Sequence, residues 1–174
     1  MDAGVTIEPV APRHAEDVQR LASHPEVVAT TNLPDPYPED GARKWIEALL
    51  PRQEAGEEYA FAILNEDEEV VGVAGLVDVA EEAAELGYWI GKPYWNRGYA
   101  TAANRQVLDF AFGALGLKRV FARPLRHNRP SRRVLEKLGF SFRRLEAPAA
   151  PKWDASDRFA RYEVACEDWR GEDA

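Results

Sequence analysis

The sequence predicts a single mixed α+β domain over residues 1–174. Two observations carry this. Short alternating apolar stretches dominate the first half, and beyond a glycine-containing loop at 91–98 the pattern becomes helix, strand, helix and two more strands. The chain is also 45% hydrophobic and 30% charged over 174 residues, which suits one core that needs no disulfide staples.

Each element has its own signal. Residues 5–10 alternate as a first strand, and Pro12 opens a helix carrying Val18 and Leu21 that ends near Ser23-His24-Pro25. Three prolines make 30–38 a loop, whose far end starts a helix with Trp45, Ile46, Leu49 and Leu50 at helical spacing. Strands at 59–64 and 70–79 flank the acidic turn Asn65-Glu66-Asp67-Glu68, and 85–90 is a further strand antiparallel to the last. A helix is expected over 99–115 and a short strand over 118–122. The helix over 130–138 is stopped by Gly139, and strands over 140–145 and 159–166 enclose a Pro/Ala loop containing Trp153.

Composition narrows the partners. The single cysteine, Cys166, offers neither a disulfide framework nor a thiolate metal site, and His14, His24 and His127 lack zinc-ligand spacing, so no metal is expected. Cys166 itself reads as a buried or strand cysteine. No basic segment leads into an apolar run at the N-terminus, and the longest apolar run, 70–77, is too short for a membrane span. The expectation is a cytoplasmic protein with no membrane partner. The net charge of −8 is unevenly divided, at −15 over residues 1–90 and +7 over 91–174. A basic run at 118–144 raises nucleic acid as a partner, but a pI near 5.0 and the lack of an RNA motif exclude it.

A strand, a loop, Gly98 and then a helix would offer unpaired backbone N–H groups to an anion, with Arg97 adding positive charge. A plain turn glycine explains Gly98 equally well on spacing alone. Glu85-Leu86-Gly87-Tyr88-Trp89-Ile90 followed by Tyr94-Trp95-Asn96-Arg97-Gly98-Tyr99-Ala100-Thr101 resembles the acetyl-CoA motif of the GNAT superfamily of N-acetyltransferases. The segment 127–140, from His127-Asn128-Arg129-Pro130-Ser131 to Leu138-Gly139-Phe140, resembles that superfamily's second signature. Within it the chain is most similar to the RimJ/RimL-like branch, which acetylates ribosomal-protein N-termini among other amines. Residues 5–9, 23–27 and 44–46 fit that branch too.

The resemblance implies a three-layer fold, with helices flanking a central, mostly antiparallel sheet that splays near Ile90. It implies acetyl-CoA as co-substrate. Its pantetheine arm would meet the backbone at Trp89, Ile90 and Gly91 as well as Asn128, and its pyrophosphate the amides of Asn96, Arg97, Gly98, Tyr99, Ala100 and Thr101. Trp95 stands where relatives often carry Gln or Arg. Glu85 matches the position of a base, and Ser131 would lie near the thiol as the local candidate acid, because the tyrosine many relatives use is replaced by Leu135. From the residues alone, Glu85 also reads as a solvent-facing strand glutamate, and Asn128 and Ser131 as the cap and first turn of a helix.

By the same analogy Thr31, Asn32, Tyr37 and Trp153 would border the acceptor. About one α-amine in ten is neutral at pH 7, against roughly one lysine in 2,500, so a protein or peptide N-terminal α-amine is the easier acceptor. A small polyamine or aminoglycoside is the alternative substrate, and a non-catalytic acyl-CoA-binding regulator the alternative class. The oligomeric state is left open between monomer and homodimer.

Overall fold

The computed structural model describes residues 3–148 and 150–171. The ends of the expected domain, and residue 149 of the expected loop at 146–157, lie outside the described residues.

Seven strands form one sheet: β1 (Thr6–Pro9), β2 (Tyr59–Leu64), β3 (Val70–Val77), β4 (Ala83–Ile90), β5 (Arg119–Ala122), β6 (Ser141–Glu146) and β7 (Phe159–Ala165). Their spatial order is β1-β2-β3-β4-β5-β7-β6. Every pairing is antiparallel except β4 with β5. That parallel pair consists only of Ala83↔Arg119, Ala84↔Val120 and Glu85↔Phe121. Beyond Glu85, β4 continues to Ile90 along β3, while β5 ends at Ala122, so the sheet opens into a gap.

Helices cover the two faces unequally. Helix α4 (Tyr99–Asp109) buries Ala102, Ala103, Val107 and Leu108, and α5 (Arg129–Lys137) buries Leu135. These meet Ala84, Leu86, Val120, Tyr162 and Val164 in the larger core cluster. On the opposite face, α1 (Ala15–Ala22) and α3 (Gly41–Glu54) direct Val18, Ala42, Ile46 and Leu49 onto Ala60, Ala62 and Val73. These positions recur at helical spacing because one stripe of each helix must reach the sheet. The smaller cluster lies over β2 and β3, and its buried members include none from β5, β6 or β7.

Several local expectations are corrected. A short helix α2 (Pro25–Val28) follows α1, with His24 Nδ1 accepting from the Glu26 amide at 3.2 Å. The helix expected over 99–115 changes at Phe110 to a π turn, Phe110–Ala114, with the Leu115 amide bonded to Phe110 O. There Phe110 packs edge-on against Tyr59 and Phe61, at 5.1 and 5.4 Å between ring centres. Cys166 is exposed in a 3₁₀ turn after β7, not buried in a strand.

Candidate active site in the sheet gap

The alternation of β4 decides what faces the gap. Gly91 N–H donates to Val71 O at 2.8 Å, so the residues level with it in the antiparallel ladder, Trp89 and Gly87, also turn their backbone groups to β3. The N–H and C=O groups of Tyr88 and Ile90 turn away from β3, where the separation of β5 leaves them without a strand partner. Of the three residues expected to present backbone, Ile90 therefore keeps its N–H on the gap side, whereas Trp89 and Gly91 use theirs in the sheet. Trp95 Nε1 donates to Ile90 O at 2.7 Å and folds the following loop back onto the strand end. This gives Trp95, the departure from the usual motif, a structural role.

After Trp95 the chain takes positive φ at Asn96 (62°) and at Gly98 (80°), and α4 starts immediately afterwards. Ala102 N–H bonds to Gly98 O, so the amides of Tyr99, Ala100 and Thr101 are those a helix start leaves without intrahelical partners. Arg97 lies by the Tyr94 ring, 6.0 Å from its centre. This row of amides, with one guanidinium and no bulky group at Gly98, is a donor set suited to a pyrophosphate.

Across the gap, Asn128 caps α5, its Oδ1 accepting from Ser131 N at 3.2 Å. The capping reading of Asn128 is thus correct. The Ser131 hydroxyl is 2.7 Å from the hydroxyl of Tyr88, which also donates to Ser131 O at 3.2 Å. Burial raises the Tyr88 pKa above its ordinary value of 10 and the Ser131 bond offsets part of that rise, so Tyr88 keeps its proton throughout the neutral range. Tyr88 stands inside the 85–90 motif with no role assigned to it there; only the register of β4 against α5 brings the two hydroxyls together. Leu135 is fully buried in the core and offers no acid.

Glu85 lies on the other face of β4 and is 9% exposed, not the solvent-facing glutamate of the simpler reading. Arg123, just past β5, grips it with two bonds, Nε to Oε1 at 3.1 Å and Nη2 to Oε2 at 2.9 Å. Those bonds raise the Arg123 pKa further above its already high value. A carboxylate offers about four lone-pair sites, so Glu85 retains acceptor capacity beside the guanidinium.

Two loops meet at the open end. Lys152 Nζ donates to Val28 O at 2.6 Å, to Thr31 O at 2.7 Å and to Leu33 O. Trp153 Nε1 donates to Asn32 Oδ1 at 3.0 Å. Glu26 of α2 pairs with Lys92, just after β4, at 2.8 Å, and Trp153 packs edge-on against Phe159 of β7 at 5.5 Å. The contact therefore joins the β4 side of the gap to the β7 side. Thr31, Asn32 and Trp153 come together as expected neighbours, with Lys152 as their unforeseen link. Tyr37 lies apart from these contacts, its ring against Gly41 at the start of α3. A basic cleft of about 430 Å³, lined by Arg126, Arg129, Arg132 and Arg158, adjoins the start of α5. Among the described residues no cluster of His, Cys, Asp or Glu could hold a metal ion, and no helix is long and apolar enough to cross a membrane.

Comparison with known proteins agrees with this layout. A family model for the acetyltransferase (GNAT) domain matches residues 5–141. Uncharacterized N-acetyltransferase p20 of Bacillus licheniformis is 31% identical over 121 residues, 68% of each chain. YjcK of Bacillus subtilis (strain 168), named a probable N-acetyltransferase, is 38% identical over 110 residues, so that match spans 61% of the relative's own length. A spermidine N-acetyltransferase from Vibrio cholerae, solved with CoA and spermine, superimposes with a TM-score of 0.82 at 14% identity, covering 94% of this chain and 96% of that one. The ribosomal-protein-S5-alanine acetyltransferase from Vibrio fischeri gives 0.82 at 16% identity, with 95% of both chains covered. At such identities the two structures speak for the fold alone.

Proposed function

The chain belongs to the GNAT acetyltransferase family, and from that premise we propose that it acetylates a primary amine, preferably a protein or peptide N-terminal α-amine, by direct transfer in a ternary complex. Acetyl-CoA supplies the activated acetyl group when bound. One observation carries the reading: the gap between β4 and β5 opens directly beside the glycine loop and the amides that start α4.

In this reading the amides of Asn96 through Thr101 hold the pyrophosphate and the backbone of Tyr88 and Ile90 lines the pantetheine path, with Asn128 and Ser131 on the far wall. The Ile90 N–H faces the gap and donates to the carbonyl oxygen as negative charge gathers there. Glu85, on the opposite face, receives the acceptor's proton directly or through one water. Ser131, hydrogen-bonded to the protonated Tyr88, returns a proton to the departing thiolate. Thr31, Asn32 and Trp153 border the acceptor's entrance, with Tyr37 further out.

One feature favours a second reading. Both oxygens of Glu85 already accept from Arg123, as suits a non-catalytic acyl-CoA-binding regulator. Wild-type turnover and the Glu85→Gln variant together decide between them. As the base, Glu85 supplies about 10²–10⁴-fold, so the variant should lose that much kcat in a thiol-release assay while keeping its affinity for CoA. Unchanged turnover would remove Glu85 from the mechanism, and no turnover with peptides, polyamines or aminoglycosides would favour the regulator.

A further inference from the structure

The sheet face carrying Glu85 continues across β5, β7 and β6, where α1 and α3 do not reach. Its side chains form one charged network. Arg123 grips Glu85 and approaches Glu146 at 3.7 Å. Arg161 lies 4.0 Å over the Phe121 ring, bonds Glu163 at 2.9 Å and reaches Glu146 at 3.7 Å. Arg144 pairs with Glu146 at 3.0 Å, and Arg143 with Glu163 at 3.4 Å.

The three carboxylates of this network are therefore all matched by guanidinium groups, which outnumber them by one. That arrangement bears on which amine can enter. A polyamine would bring several positive charges to a face whose carboxylates are already paired. A single ammonium reaching Glu85 must share that carboxylate with Arg123, and it adds a positive charge to a network in which guanidinium groups already outnumber carboxylates. A ligand with a carboxylate a few bonds from its ammonium satisfies both groups and leaves the local charge unchanged. The Arg123 side chain is 34% exposed and that of Glu85 11%, so the arginine is the more accessible partner for such a group.

We propose that Arg123 is the specificity-determining residue for the acceptor, and that the acceptor is a primary amine with a nearby carboxylate. The sources of that chemistry are a free amino acid and a peptide N-terminus followed by Asp or Glu. The proposal rests on the reading that Glu85 receives the acceptor's proton. The transfer balances without a further reactant: the amine nitrogen forms the amide bond, the thioester C–S bond breaks, and the amine proton leaves through Glu85.

The test measures kcat/KM by thiol release with acetyl-CoA and five acceptors: tetrapeptide amides beginning Ala-Asp, Ala-Ala and Ala-Lys, free glutamate, and spermine. Ala-Asp or glutamate should exceed Ala-Ala by roughly ten-fold or more, with spermine last. The better of the two identifies the source. Arg123→Gln should bring the acidic and neutral acceptors to within about two-fold of each other, and Arg123→Glu should place Ala-Lys first. A ratio between acceptors is not moved by a general loss of folded protein. Equal use of acidic and neutral peptides by the wild type, or a uniform loss in Arg123→Gln, would overturn the proposal and leave α-amine transfer standing. Preference for spermine would overturn it while keeping acetyl transfer. No turnover with any of the five would overturn both.

Discussion

The Tyr88 hydroxyl has two contacts on the first turn of α5, the Ser131 hydroxyl and the Ser131 carbonyl. Because burial raises its pKa above 10, the consequence for stability has a definite sign. In the unfolded chain a tyrosine ionises near 10, whereas folded Tyr88 holds its proton to a higher pH. Below pH 10 both states are protonated and Tyr88 adds no pH dependence. Above it the folded state binds the extra proton, so stability falls with rising pH by at most about 1.4 kcal/mol per unit. Tyr88→Phe should remove that contribution. Urea midpoints compared at about pH 8, 10 and 11 check this, and equal slopes for variant and wild type would contradict a buried hydroxyl. Glu85 has a guanidinium as its neighbour. Its position on a strand was legible from the sequence, but Arg123, 38 residues away, becomes its partner only through the parallel pairing of β4 with β5.

Elements show the same division between local signals and long-range ones. The main strands and helices follow from period and punctuation, as with the proline that opens the first helical region and Gly139 that ends α5. Placing β7 between β5 and β6 is a matter of pairing across the chain, which no local pattern records. The ring that opens the π turn, Phe110, likewise packs on Tyr59 and Phe61 of β2, a contact across the chain. Of the candidate site, the glycine loop before α4 and the α5 cap are readable, because each is built within a few consecutive residues. The contact between the loops at 28–33 and 152–153 is not. It depends on Lys152, whose ammonium bonds three carbonyls more than 115 residues earlier in the chain. Lys152→Met leaves those carbonyls without that donor, and a hydrogen bond to a charged group contributes about 1.5–3 kcal/mol. The variant should lose about 1–3 kcal/mol of stability, with faster amide hydrogen exchange concentrated around residues 29–33 and 151–157. Exchange that rises evenly over the sheet instead would show that Lys152 supports the fold generally and does not latch these two loops.

The division of charge along the chain, −15 before Gly91 and +7 from it onward, becomes a spatial arrangement once the sheet is formed. The basic half supplies α5 and the cleft of Arg126, Arg129, Arg132 and Arg158 beside it. Strand alternation then carries some of that basicity through the sheet, since Arg123 and Arg161 project to the face that holds Glu85. The acidic half therefore does not present an unopposed negative surface to the acceptor, and a simple split into anionic and cationic sides is too coarse. The two sides should differ in their response to salt. A polyanionic co-substrate approaching an exposed basic region is steered over a distance comparable with the screening length, about 10 Å at 0.1 M. Between about 50 and 500 mM salt its KM should rise roughly three- to ten-fold while kcat holds at saturation. The Arg123–Glu85 pair is short and mostly shielded, so the preference among acceptors should change by less than about two-fold over the same range. Steady-state kinetics with each substrate varied in turn separate the two effects. A salt-independent KM for acetyl-CoA would mean that hydrogen bonds from the amides at 96–101 hold the pyrophosphate without help from the wider field. A collapse of acceptor preference in salt would place the selecting charges at the rim of the site, and not at Arg123.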